Sequence, residues 1–181
     1  MIANGRIGYM LRHHRLPLFW GVATIALAGP WLADRPLPPV FGGDTPSRMA
    51  TGLSVEQVHD GDTMWLRERA GRLKVRLHCI DAPELAQAPW GRRARDELRR
   101  IAGDKVDIRV HETDRYGRSV AEVSRNGRSV NLALVKRVLA AVYDRYCSDP
   151  RYANAEAAAR AMERGIWGAD GLALLPWIFR R

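Results

Sequence analysis

Leu73-Lys74-Val75-Arg76-Leu77-His78-Cys79-Ile80 alternates apolar and charged residues over its whole length, and it closes on Asp81-Ala82-Pro83-Glu84. Period-two alternation is the mark of a strand with one buried face. Leu73, Val75, Leu77 and Cys79 fall on the buried side, and Lys74, Arg76 and His78 on the other. Pro83 ends the run because it cannot donate to a ladder. Upstream, Thr63 to Glu68 alternates in the same way, with Met64 and Leu66 on one face. Asp60-Gly61 precedes it as a turn, and Leu53 to His59 reads as a first strand. Downstream, Gly91 to Ala102 is rich in helix formers, spaces Ala94, Leu98 and Ile101 along one face, and stops at Gly103. Val106, Ile108 and Val110 mark a fourth strand. Val120 to Ser124 marks a fifth, before the Asn126-Gly127 turn. Val130 to Ala140 and Asn154 to Arg164 read as helices. Three strands, a helix, two strands and two helices give an α+β, mainly β chain. The pattern is that of a five-stranded antiparallel OB-fold barrel with a helix after strand 3 and two C-terminal helices.

The chain has 181 residues and a formal net charge of +9, with 29 basic and 20 acidic side chains. Only Lys74, Lys105 and Lys136 are lysines, so the basicity is arginine. Such a surface concentrates polyanions. Cys79 and Cys147 are too few for a disulfide scaffold, and their spacing fits no zinc motif. Both are expected to be free, buried thiols. No phosphate-binding loop, dinucleotide fingerprint or internal repeat is present.

Residues 1–33 read as an address. Arg6, Arg12 and Arg15 precede an uncharged stretch from Leu16 to Ala33, the arrangement of a signal peptide or an N-terminal membrane anchor. Ala26-Leu27-Ala28 would serve as the cleavage site. Either version sends the domain outward, to the periplasm or beyond, or leaves it tethered to the inner membrane. Residues 34–52 form a Pro/Gly-rich linker. The domain then covers 53–169, and 170–181 is an apolar tail that packs on the barrel.

Asp62 opens the second strand and Asp81 closes the third, so an antiparallel barrel can bring both to one rim. Two carboxylates with backbone carbonyls suit a hard divalent ion better than zinc. A turn aspartate bonded to its own backbone is the plainer reading of each alone. Glu84, held past Pro83, can position or deprotonate an attacking water. Arg76 and Arg118 can each grip phosphate oxygens in two-pronged fashion. Taken singly, each is ordinarily a surface arginine.

Together these residues carry a resemblance. Val58-His59-Asp60-Gly61-Asp62-Thr63, Val75-Arg76-Leu77, Ile80-Asp81-Ala82-Pro83-Glu84 and Asp114-Arg115-Tyr116-Gly117-Arg118 occur in one order. With Val130-Asn131-Leu132-Ala133-Leu134-Val135 and Gly165-Ile166-Trp167, they resemble the staphylococcal nuclease (thermonuclease) family over about Leu53 to Trp167. The resemblance implies a Ca²⁺-dependent endonuclease, a monomer that cleaves DNA and RNA and leaves 3′-phosphates. It implies Asp62, Asp81 and the carbonyl of Ala82 as Ca²⁺ ligands, and Arg76, Glu84 and Arg118 as catalytic. Arg115, Tyr116 and Tyr146 would contact the substrate. Ala82 stands where the family has threonine, and only a backbone carbonyl is needed there. The alternatives are an inactive OB-fold domain that binds nucleic acid or another polyanion, and a sugar-binding accessory of envelope polysaccharide assembly.

Overall fold

The computed structural model describes residues 48–181, so the readings for 1–33 and for 34–47 lie outside the described residues. The strands are β1 (Arg48–Val58), β2 (Thr63–Glu68), β3 (Gly71–Leu77), β4 (Ile80–Asp81), β5 (Lys105–Thr113), β6 (Ser119–Arg125), β7 (Arg128–Ser129) and β8 (Ala141–Val142). The helices are α1 (Trp90–Ala102), α2 (Val130–Lys136), α3 (Pro150–Ala161) and α4 (Pro176–Phe179).

Five strands close on themselves in the order β3-β2-β1-β5-β6, and β6 returns to β3. The closing pair is parallel, with Val75 opposite Ser119 and Leu77 opposite Ala121. The OB-type barrel is therefore mixed, where the alternation alone predicts an antiparallel one. Helix α1 lies between β4 and β5, as expected, and α2 and α3 follow the barrel.

Alternation places the core. Met64, Leu66, Val75 and Leu77 point inward and are buried, as are Ala94 and Leu98 on α1. Outward-facing Trp65 carries the Arg72 guanidinium 4.5 Å from its ring centroid. Asn131 is buried on α2 and acts as a polar clamp. Its Oδ1 accepts from the Val123 N–H, and its Nδ2 donates to the carbonyls of His78 and Ala121, each at 3.0 Å. Among the described residues no helix is long and apolar enough to cross a membrane.

Several boundaries differ from the expectation. β1 begins at Arg48, so 48–52 belong to the barrel and not to the linker. Gly52, with φ of 66°, sits where the β1–β5 register shifts, and this bulge hides the strand from a period-two reading. The third strand breaks after Leu77, and Cys79 adopts φ of 68° before β4 resumes. α2 ends at Lys136 rather than Ala140, because the chain must return as β8 to pair with β4. α3 starts four residues early. Asp149 caps it through the Arg151 N–H at 2.9 Å, and Pro150 takes the first turn, where a missing N–H costs nothing.

The largest correction concerns the thiols. Cys79 and Cys147 form a disulfide with Cα atoms 4.6 Å apart, not a pair of free cysteines. The β4–β8 pairing is the cause. It sets Ile80 opposite Val142, the Tyr143 N–H then donates to the Cys79 carbonyl at 3.0 Å, and Cys147 follows within reach.

Candidate active site

Asp60-Gly61-Asp62 turns the chain from β1 into β2. The Asp60 carboxylate accepts the Asp62 N–H at 3.0 Å, which tightens the turn. A Cβ on Gly61 would lie 2.6 Å from the Ala82 Cβ and 2.7 Å from the Ala94 Cβ. Glycine therefore lets the turn seat directly against the chain after β4. There Asp62 Oδ2 accepts the Ala82 N–H at 2.8 Å, and Asp62 Oδ1 accepts the Thr63 hydroxyl at 3.0 Å. The sequence places Asp62 and Asp81 at one rim, and this contact brings them together.

Arg76 stands opposite Thr63 in the β2–β3 ladder, so its side chain rises beside both aspartates. Its Nη1 donates to the carbonyls of Leu77 and Ile80, each at 2.8 Å. Its Nη2 lies 2.8 Å from Asp81 Oδ1 and 3.2 Å from Asp62 Oδ2. Two carbonyls and two carboxylates fix the guanidinium, and its side chain is only 13% exposed.

The acids crowd one another. Burial first, and then the charge of Asp62, pushes Asp60 up to about 6. Burial and the charge of Asp62 likewise raise Asp81 above the usual carboxylate range, against the pull of Arg180 and Arg76. A buried anion raised by its neighbours is a group that a cation would relieve.

Glu84 follows on the loop between β4 and α1. The Gln87 side chain accepts the Glu84 N–H at 3.0 Å, and a Cβ on Gly91 would fall 2.0 Å from the Glu84 carbonyl oxygen. Only glycine lets the first turn of α1 touch this loop so closely. The Glu84 carboxylate is met by Arg180, whose Nη1 donates to Oε1 at 2.6 Å while Nη2 donates to Asp81 Oδ2 at 2.5 Å. Burial alone would lower the Arg180 pKa, but the bonds to Asp81 and Glu84 outweigh it and raise it. Asp60, Glu84, Phe179 and Arg180 border a cleft of about 320 Å³.

Arg118 lies one residue before β6 and pairs within its own turn. Its Nε donates to Asp114 Oδ2 at 2.7 Å, and Asp114 Oδ1 accepts the N–H groups of Tyr116 and Arg118. Burial pushes Asp114 up, but these donors outweigh it and hold it below the usual range. Since β6 runs beside β3, with Arg76 opposite Val120, Arg118 emerges two residues ahead of Arg76's partner. Arg115 and Tyr116 form the exposed tip of this turn, where Arg115 Nη2 donates to the Tyr116 hydroxyl at 2.6 Å. Tyr146 is exposed and meets Tyr143 edge-on at 5.0 Å, and Tyr143 stacks on Trp177 at 5.5 Å.

The residues partly fit a hard cation. The two carboxylates of Asp62 and Asp81 are oxygen donors beside the Ala82 backbone, the donor chemistry that Ca²⁺ takes. Among the described residues, however, no three acidic, histidine or cysteine side chains are disposed to hold a metal. Arg76 and Arg180 lie against the carboxylates instead.

Sequence reasoning missed Arg180, Trp177 and the role of Asp60 as a third acid. Asp60 was legible in Asp60-Gly61-Asp62. Arg180 lies 99 residues from Asp81, and no spacing signals such a contact.

Residues 74–169, more than half of the chain, match the family described as staphylococcal nuclease homologue. An uncharacterized endonuclease of Escherichia coli O157:H7 is 36% identical over 128 residues, 70% of this chain and 82% of that protein. An uncharacterized endonuclease of Haemophilus influenzae is 35% identical over 137 residues, 75% of this chain and 76% of that protein. The staphylococcal-like nuclease CAN1 of Arabidopsis thaliana is 34% identical over 113 residues, 62% of this chain and 34% of that longer protein. The mixed five-stranded barrel, its rim of acids and arginine, and these matches place the chain in the staphylococcal nuclease-like family.

Proposed function

We propose that this chain is an endonuclease that hydrolyses phosphodiester bonds of DNA and RNA in a Ca²⁺-dependent reaction. The observation that carries this reading is the convergence of Asp62, Asp81 and Arg76 at one barrel rim, with Glu84 joined to Asp81 through Arg180. Endonuclease and nuclease in the relatives' names support the reaction class.

Asp62, Asp81 and the Ala82 carbonyl would hold Ca²⁺, which when bound would supply positive charge beside the phosphate and orient water. Glu84 accepts a proton from the attacking water as its oxygen bonds to phosphorus. The P–O5′ bond breaks, its electron pair leaves with the 5′ oxygen, and solvent protonates that oxygen. The phosphate stays on the 3′ side. Arg76 and Arg118 donate to the phosphoryl oxygens as charge builds there. Arg76 is already braced by two carbonyls, so little reorganisation precedes the reaction. Arg115, Tyr116 and Tyr146 are exposed and would contact the flanking nucleotides, Tyr146 by stacking under a base.

The export reading belongs to the same proposal. It rests on the basic flank and apolar stretch of residues 1–33, and cell fractionation tests it. The enzyme reading is tested by incubating the purified chain with single-stranded DNA and with RNA, in Ca²⁺ or in excess chelator. Cleavage in Ca²⁺ alone, with 3′-phosphate ends, is the expected result. Binding without cleavage would instead make the chain an inactive OB-fold domain.

A further inference from the structure

We propose that residues 170–181 form an autoinhibitory strap, in which Arg180 engages Asp81, one of the cation's ligands, together with Glu84, the proton acceptor, while Trp177 packs on Tyr143. The inference rests on the reading of Asp62 and Asp81 as cation ligands given above. Arg180 spans two carboxylates at once, Asp81 at 2.5 Å and Glu84 at 2.6 Å. The same turn of chain lays Trp177 flat on Tyr143, at 5.5 Å and 9° between planes, and Tyr143 in turn meets Tyr146 edge-on. A single segment thus meets Asp81 and Glu84 with one positive charge and Tyr143 with one ring.

The strap has a fixed root and a loose tip. At the root, the Leu172 N–H donates to the Ile166 carbonyl at 3.0 Å, and the Gln87 amide donates to the Leu174 carbonyl at 2.8 Å. The Trp90 indole N–H donates to the Asp170 carbonyl at 2.9 Å. Beyond Leu175 the chain makes only the four-residue α4, in which Pro176 alone is buried. Ile178 and Phe179 stay exposed. The tip is therefore held mainly by the two charged contacts of Arg180 and by one ring stack. Little apolar burial opposes its release.

Charge sets the direction of the effect. Asp81 Oδ1 already accepts from Arg76 and Oδ2 from Arg180, so a cation gains an Asp81 oxygen only when Arg180, the partner outside the barrel strands, withdraws. The apparent dissociation constant for Ca²⁺ then rises by the ratio of closed to open strap. The strap makes the chain respond to Ca²⁺ at a higher threshold than the carboxylates alone would set.

The test is Ca²⁺ binding by titration calorimetry on the full chain, on Arg180→Gln and on a chain ending at Leu175. Hydrogen exchange of residues 176–181 is followed in parallel. Arg180→Gln should bind Ca²⁺ about tenfold more tightly, the effect of losing one competing charge-assisted contact. The chain ending at Leu175 should bind at least as tightly. Added Ca²⁺ should speed exchange at 176–181 in the unaltered chain. Equal or weaker Ca²⁺ binding by both variants would overturn the strap while leaving the cation site standing. Ca²⁺ heats absent from all three chains would sink the cation site, and the strap with it. A fall in oligonucleotide affinity on Arg180→Gln, with Ca²⁺ affinity unchanged, would make Arg180 a substrate contact and refute the inhibitory role.

Discussion

Asn131 and Asp81 are equally buried, each 0% exposed, yet their surroundings differ in kind. Asn131 is neutral, and its amide makes three hydrogen bonds to backbone groups of the barrel. The cluster is complete, and it ties β6 and the turn after β3 to α2. Asp81 is an acid beside another acid, raised by burial and by Asp62, and held by arginines from β3 and from the end of the strap. The barrel would need no such cluster merely to fold, because burying charge is costly even when it is paired. A completed polar cluster specifies structure. A crowded one, held by a side chain that can leave, is where chemistry is expected.

The largest contrast should appear on changing Arg76. Lysine keeps the charge but loses the fork whose Nη1 is braced by two carbonyls while Nη2 meets both aspartates, so Arg76→Lys should lower kcat by about 10²–10³-fold. KM for a short oligonucleotide should change little. Arg99→Ala, on the exposed face of α1, should leave kcat unchanged and alter only salt-dependent affinity for long polynucleotides. Steady-state kinetics on the two variants makes the comparison. A wild-type kcat for Arg76→Lys would place the chemistry elsewhere.

Cutting the Cys79–Cys147 bond comes next. It closes a loop with a sequence separation of 68, and replacing both cysteines by serine should cost about 2–4 kcal/mol in denaturant unfolding. Because Cys79 adjoins β4, activity should fall as well, through looser placement of Asp81. A variant as stable as the parent would show that the β4–β8 pairing suffices.

On the structural side of the comparison, Asn131→Leu removes the side-chain partner of the Val123 N–H and of the His78 carbonyl, while the Ala121 carbonyl keeps the His78 N–H at 2.8 Å. The expected loss is about 1–3 kcal/mol of stability, with kcat of the folded protein retained. Chemical denaturation and active-site-normalised kinetics together check this. A lost kcat at full stability would mean that the two clusters are coupled.

The smallest effect concerns pH. Burial, and then the charge of His111, lowers the His78 pKa below its ordinary 6.5, with Arg76 adding to this and Asp149 opposing it. The unfolded chain then takes up the proton first as pH falls. Stability is full above about pH 6.5 and declines from there toward the lower folded pKa. His78→Gln should flatten that decline in urea midpoints measured across the range. An unchanged slope would assign the pH dependence to other groups.

Much of the barrel was legible because alternation fixes which face of β2 and β3 is buried, and because Asp60-Gly61 and Asn126-Gly127 are turn chemistry. The meeting of Asp62 and Asp81 followed from strand ends at one rim, whereas the contact of Arg76 with both acids had no signal in the spacing. The parallel return of β6 to β3 was not legible, since pairing partners leave no period in the chain. The two-residue strands β4 and β8 were equally hidden, and with them the disulfide that their pairing brings into range. α3 had a readable start in Asp149-Pro150 that helix formers further along obscured. Arg180 had no local signal at all. Its meaning depends on the packing that lays this segment against Asp81 and Glu84.

The most direct measurement is the calorimetric melting of the full chain and of Asp81→Asn, each with and without Ca²⁺. Ligand at a hundredfold above its dissociation constant adds about 2.7 kcal/mol to a fold that binds it. The unaltered chain should melt at a higher temperature in saturating Ca²⁺, and Asp81→Asn should show little or no shift. An equal shift in both proteins, or none in the unaltered chain, would contradict the assignment of this rim as the cation site.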